Sequence, residues 1–156
     1  MKLKNILLLI LPLLLLFAGS CKKVDSEEQA NIDDSTILKF ISDKNIPAQK
    51  HSSGIYYQIL SSGSGNISYT SNTTVNTKYT GRLLSGTVFD GTTTQPISFK
   101  LGQVIAGWQI GIPLIQKGGK IRLLIPSGLA YGPQGQGPIP GNAVLDFDIE
   151  LLDVTN

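Results

Sequence analysis

Alternating apolar and polar positions dominate the second half of the chain. The clearest run is near its end, where Leu145, Phe147, Ile149 and Leu151 face one way and Asp146, Asp148 and Glu150 the other. This is the pattern of a half-buried strand, and it reads the three carboxylates as a solvated face. Val75, Thr77 and Tyr79 alternate with Asn76, Lys78 and Thr80, and Ile121, Leu123 and Ile125 alternate in the same way. Ile55 to Leu60 is a further β-prone stretch. Trp108 to Gln116 is the one helical candidate among these strands, and Pro113 should keep it brief. Several strands around one short helix predict an α+β domain with an antiparallel sheet. Gly132 to Gly141 carries Pro133, Pro138 and Pro140 and predicts a long punctuated loop, the kind that is often functional.

The first half has a different pattern. Lys2 and Lys4 precede an unbroken apolar run, Ile6 to Ala18. At about 13 residues it is shorter than the roughly 20 needed to span a bilayer, and it fits a secretory leader over residues 1–20. Lys22 to Asp33 has no apolar period and reads as a polar tether, bounded at 21–34. Ile37, Leu38 and Ile41 then predict a helix over Ser35 to Asn45, capped by Asp34 or Ser35, within an N-terminal segment of 35–54. Residues 55–156 form one domain of about 100 residues, enough for a single core.

The small residues Ala18, Gly19 and Ser20 lead directly into Cys21, the only cysteine of the chain. An unpaired cysteine suits no disulfide framework. Its place resembles a bacterial lipoprotein signal, which implies that Cys21 is acylated and that the protein is tethered by lipid to a membrane of the cell envelope.

Charge changes the picture little. Taking Lys2 and Lys4 from the 13 Lys and Arg leaves 11, against 11 Asp and Glu. Such a balance offers no basic patch for nucleic acid. His51 is the only histidine, so no metal site is expected, since one needs three or four ligands. Arg82 and Arg122 read as surface residues.

The candidate chemistry lies at glycine-marked turns: Tyr79-Thr80-Gly81 running on to Phe89-Asp90, then Val104-Ile105-Ala106-Gly107-Trp108, then Ala130-Tyr131-Gly132. These residues offer apolar walls, phenols and one carboxylate, with no credible nucleophile or base. That set suits a reaction without proton transfer or covalent intermediate.

In order, YTGRLLSGTVFD, GQVIAGWQIGI, a GGK turn, LAYG and LDFDIELL carry a resemblance across Gln58 to Val154. The stretch resembles the FKBP-type peptidyl-prolyl cis-trans isomerases, the macrolide-binding immunophilins. The resemblance implies a twisted antiparallel sheet wrapped around one short helix, with no cofactor. It implies an apolar pocket of Tyr79, Phe89, Val104, Ile105, Trp108 and Phe147, with Trp108 as floor and Asp90 and Tyr131 as polar rim. The Ile105 N–H would receive a substrate or macrolide carbonyl. Ile97 takes a wall position that is often Phe, and Ile139 is expected to reach over the pocket from the flap Gly132 to Asn142. The partners implied are proline-containing polypeptides of exported proteins and, as inhibitors, macrolides. The alternative on the same fold is a non-enzymatic binding module or folding chaperone.

Overall fold

The structure is a computed structural model, and it describes residues 25–156. The expected leader, Cys21 and the start of the expected tether lie outside the described residues.

Helix α1, Ser26–Lys44, begins at Ser26 rather than Ser35, so most of the stretch read as tether forms its first turns. Asp25 caps it, its carboxylate accepting from the Glu27 N–H at 3.0 Å and the Glu28 N–H at 2.8 Å. Glu27 and Glu28 then sit at the positive end of the helix dipole. Asn45 ends it in the left-handed conformation at φ 52°, with the Ile46 N–H returning to the Ile41 carbonyl at 3.0 Å. The buried residues of α1 are Asp33 and Ile37, with Phe40 and Ile41 partly covered. These positions lie at i, i+4, i+7 and i+8, one face of the helix.

Six strands form one antiparallel sheet: β1 (Gln49–Lys50), β2 (Tyr56–Ser61), β3 (Thr74–Leu83), β4 (Val88–Lys100), β5 (Lys120–Ile125) and β6 (Leu145–Thr155). Their spatial order is β1-β2-β5-β6-β3-β4. On the inner face Val75 and Tyr79 of β3, Ile121, Leu123 and Ile125 of β5, and Leu145, Phe147, Ile149 and Leu151 of β6 build the main core. Helix α2, Ala106–Gly111, lies on this face and continues as a 3₁₀ turn, Ile112–Leu114, with Pro113 inside it. Gly107 and Gly111 let it approach closely. A Cβ on Gly107 would stand 2.5 Å from Ile125, and one on Gly111 would stand 2.5 Å from Leu123. The two glycines, four apart on one side of the helix, therefore set how deeply the neighbouring Trp108 is driven into the core.

The opposite face carries a smaller core, where Ile37 of α1 meets Tyr56, Leu124 and Val144. Here the reading of β6 needs correction. Asp146 belongs to the outer face by alternation, yet its side chain is only 4% exposed. Arg122 forks onto it, Nε to Oδ1 at 2.9 Å and Nη2 to Oδ2 at 2.8 Å, and Arg82 reaches it at 3.5 Å. Arg82 also pairs with Asp148. The arginines read as surface residues are half-buried clasps across β5, β6 and β3.

β4 is interrupted after Thr92. Thr92 pairs with Tyr79 and Ile97 with Thr77, so Thr93 to Pro96 bulge out opposite Lys78. Pro96, which has no N–H to give a ladder, falls inside that bulge.

Candidate functional site

The inner face of the sheet ends in an aromatic box. Trp108 is 4% exposed and meets three rings edge-on: Tyr79 with centroids 5.0 Å apart, Phe147 at 5.4 Å and Phe99 at 5.8 Å. Phe89 closes on Phe147 at 5.6 Å. Edge-to-face pairs of this kind contribute about 0.5–1.5 kcal/mol each beyond their buried area, so the box is held as a unit. Gly81 is required between two of its walls, since a Cβ there would stand 2.7 Å from both Phe147 and Phe89.

The box opens to a cavity of ≈ 300 Å³. Its lining contains Tyr79, Phe89, Asp90, Val104, Ile105, Trp108, Tyr131 and Phe147, eight of the residues expected at the site. Four different segments of chain deliver them: the β3–β4 pair, the entry to α2, the turn after β5, and β6, which carries Phe147. A groove of ≈ 870 Å³ between α1 and Pro126 to Pro133 is larger, but no aromatic ring is among its described lining residues. Chemistry, not volume, selects the smaller cavity.

Two expected residues are elsewhere. Ile97 is 40% exposed and is not in the lining. The bulge ends at Pro96, and Phe99, two residues further along the same face of β4, supplies the wall instead. Ile139 is buried in the main core and is not in the lining. Its backbone is tied to Gln136 by two hydrogen bonds of 2.9 Å, and Gln136 is the flap residue that lines the cavity. Phe99 and Gln103 were missed. Alternation from Ile97 could have indicated Phe99, whereas nothing in the spacing singles out Gln103.

The polar groups differ in how they are held. The Tyr79 hydroxyl donates to Asp90 Oδ2 at 2.6 Å, and Asp90 Oδ1 accepts from the Gly91 N–H at 2.8 Å. The Tyr131 hydroxyl bonds to no described residue, and neither does the Ile105 N–H at the start of α2. The Ile105 carbonyl is occupied, accepting from Trp108 at 2.9 Å and Gln109 at 3.2 Å. The cavity therefore presents donors and an ordered carboxylate around an aromatic floor.

Burial first, and the Asp90 carboxylate second, raise the Tyr79 and Tyr131 phenols above the ordinary tyrosine value. Both therefore stay neutral donors past pH 10, where an ordinary tyrosine is about half ionised. Ligand binding at this cavity should therefore stay level from neutral pH up to about pH 10. A pH titration showing a fall centred near neutrality would assign the polar rim to other groups. The same sign applies to stability. Above about pH 10 the unfolded chain releases phenolic protons that the fold retains, so stability declines there as pH rises.

Comparison with known proteins bears on the family and the fold. The family model for FKBP-type peptidyl-prolyl cis-trans isomerase matches residues 65–152. The chain is 45% identical over 118 residues to the FKBP-type peptidyl-prolyl cis-trans isomerase FkpA of Escherichia coli, covering 74% of this chain and 43% of that protein. It spans about half the length of the curated relatives it matches. The crystal structure of FkpA from Escherichia coli superposes with a TM-score of 0.71 at 38% identity, over 83% of this chain and 62% of that one. A peptidyl-prolyl cis-trans isomerase from Pseudomonas syringae pv. tomato gives 0.68 at 34% identity, over 81% of this chain and 96% of the other. With the aromatic box, its ordered rim and the six-stranded antiparallel sheet in place, the chain belongs to the FKBP-type peptidyl-prolyl cis-trans isomerase family.

Proposed function

We propose that this protein is a peptidyl-prolyl cis-trans isomerase that accelerates Xaa–Pro rotation in exported polypeptides. The observation that supports this best is the convergence of Tyr79, Phe99, Trp108 and Phe147 on one cavity whose rim carries Asp90 and Tyr131.

The chemistry needs little else. Rotation about a peptide bond faces a barrier of about 18–20 kcal/mol, while Xaa–Pro isomers differ by only about 0.5–1 kcal/mol. Catalysis therefore concerns rate alone. Planarity of the imide is favoured by water, because the planar form is the more polar one. Seating the proline ring on Trp108 removes that water. The Ile105 N–H and the Tyr131 hydroxyl then hold carbonyls on either side of the bond in a twisted arrangement, which favours the transition state over the ground state. Lowering the barrier by about 4 kcal/mol gives roughly a thousandfold acceleration. A macrolide carrying a proline-like ring and adjacent carbonyls would occupy the same cavity and inhibit.

The test is refolding of a protein limited by a slow proline phase, which normally takes tens of seconds. Catalytic amounts of this chain should shorten that phase without changing the final yield. A higher yield with an unchanged rate would favour the chaperone reading instead.

We also propose that Cys21 is lipidated and tethers the protein to a membrane of the cell envelope. The support is its position after Ala18-Gly19-Ser20 and its being the only cysteine. Two or three acyl chains anchor stably where one binds marginally. Labelled palmitate should enter the wild type and not Cys21→Ala; label that survives the substitution removes the proposal.

A further inference from the structure

The stretch matched by the family model begins at residue 65, well after α1, yet α1 reaches the active-site framework through a buried carboxylate. Asp33 is 2% exposed. Its Oδ2 accepts from both the Ser127 N–H and the Ser127 hydroxyl at 2.7 Å, and its Oδ1 accepts from Gln29 Nε2 at 2.7 Å. A carboxylate is costly to bury unless its oxygens are satisfied. Here three donors satisfy it, two of them on one residue of the domain.

That residue opens the turn which delivers Tyr131. Ser127–Leu129 form a 3₁₀ turn after β5. The Leu129 N–H returns to the Pro126 carbonyl at 3.0 Å and the Ala130 N–H to the Ser127 carbonyl at 3.0 Å. Tyr131 follows directly, and beyond it Gly132 takes the left-handed conformation at φ 61°. The two cavity phenols are thus held in different ways. Tyr79 is aimed by its own bond to Asp90. Tyr131, whose hydroxyl has no partner among the described residues, is aimed only by the backbone and packing of its turn.

We infer that Asp33 is a positioning residue for Tyr131, and that α1 thereby belongs to the working isomerase rather than serving only as a spacer. The kinetic part of this inference rests on the isomerase reading; the structural part does not.

A double-mutant cycle in the full-length protein tests it. Asp33→Asn keeps the side-chain shape but replaces one acceptor oxygen by an amide. It should lower kcat on a proline peptide by about tenfold with KM changed less than about twofold, because the aromatic floor is untouched. In a Tyr131→Phe background the same change should cost less than about twofold more, since both act on one interaction. Ser127→Ala, which removes one of the three donors, should follow the same pattern more weakly and serves if Asp33→Asn folds poorly. Independently of catalysis, hydrogen exchange at the Leu129 and Ala130 amides should quicken in Asp33→Asn while the β5 amides of Ile121 to Leu124 keep their protection. Multiplicative losses in the double variant, or unchanged exchange in the turn, overturn the proposal. An inactive wild type would reject the isomerase reading and leave exchange to decide the positioning claim.

Discussion

Replacing Trp108 by Leu should lower kcat/KM for a proline peptide by about a hundredfold, equivalent to about 2.7 kcal/mol of transition-state stabilisation. The size follows from the position of the indole. It lines the cavity and makes edge contacts with Tyr79, Phe99 and Phe147. Removing it takes away the flat surface proposed to seat the proline ring and loosens three walls together. Leu partly refills the space, so the loss of stability should be about 2–4 kcal/mol, below or within the range for deleting a buried aromatic side chain. Circular dichroism and a denaturant midpoint separate the two effects. A folded Trp108→Leu protein with undiminished kcat/KM would remove the cavity from the mechanism.

The second large effect concerns stability alone. Arg122→Met should cost about 3 kcal/mol, because it leaves the nearly buried Asp146 carboxylate with only Arg82, at 3.5 Å. For a chain of this size that corresponds to a fall in Tm of roughly 10 °C. Arg82→Met should cost about 1 kcal/mol or less. Its better partner, Asp148, is half exposed and can turn to water, while the Arg122 fork on Asp146 survives. Replacing both members, Arg122→Met with Asp146→Leu, should recover most of the loss, since no buried charge is then left unpaired. Thermal unfolding of the three variants gives the order directly. An Arg82→Met loss equal to that of Arg122→Met would mean that the charges share the cluster evenly and that the fork has no special role.

The same cluster marks a limit of sequence reading. Alternation along β6 assigns Leu145, Phe147, Ile149 and Leu151 to the inner face and Asp146 to the outer one, and the structure agrees. Alternation does not say what lies on the outer face. Arg122 and Arg82 come from strands on either side of β6, neighbours only through the order β5-β6-β3. Without that order a clasped carboxylate looks like a solvated one.

The helix poses a similar problem. Asp25 followed by Glu28 has the spacing of an N-terminal cap, but no apolar stripe supports it between Ser26 and Ser35. The stripe exists; its first member is Asp33, which a hydrophobic count passes over. The cavity residues were easier, because Tyr79, Phe89, Trp108, Tyr131 and Phe147 each sit beside a glycine or at a fixed place in a motif. Ile97 was misplaced by the bulge after Thr92, which displaces the pairing of β4 so that Phe99 becomes the wall. Ile139 was expected to reach over the pocket, but it is buried in the core while its bridge partner Gln136 lines the cavity.

The most direct measurement is exchange NMR on a short Leu-Pro-Phe peptide with catalytic amounts of the purified protein, with and without a macrolide. Cis–trans exchange peaks should appear on a timescale far below the uncatalysed tens of seconds and vanish at one equivalent of macrolide per protein. Exchange left at its uncatalysed rate by a folded protein would contradict the account.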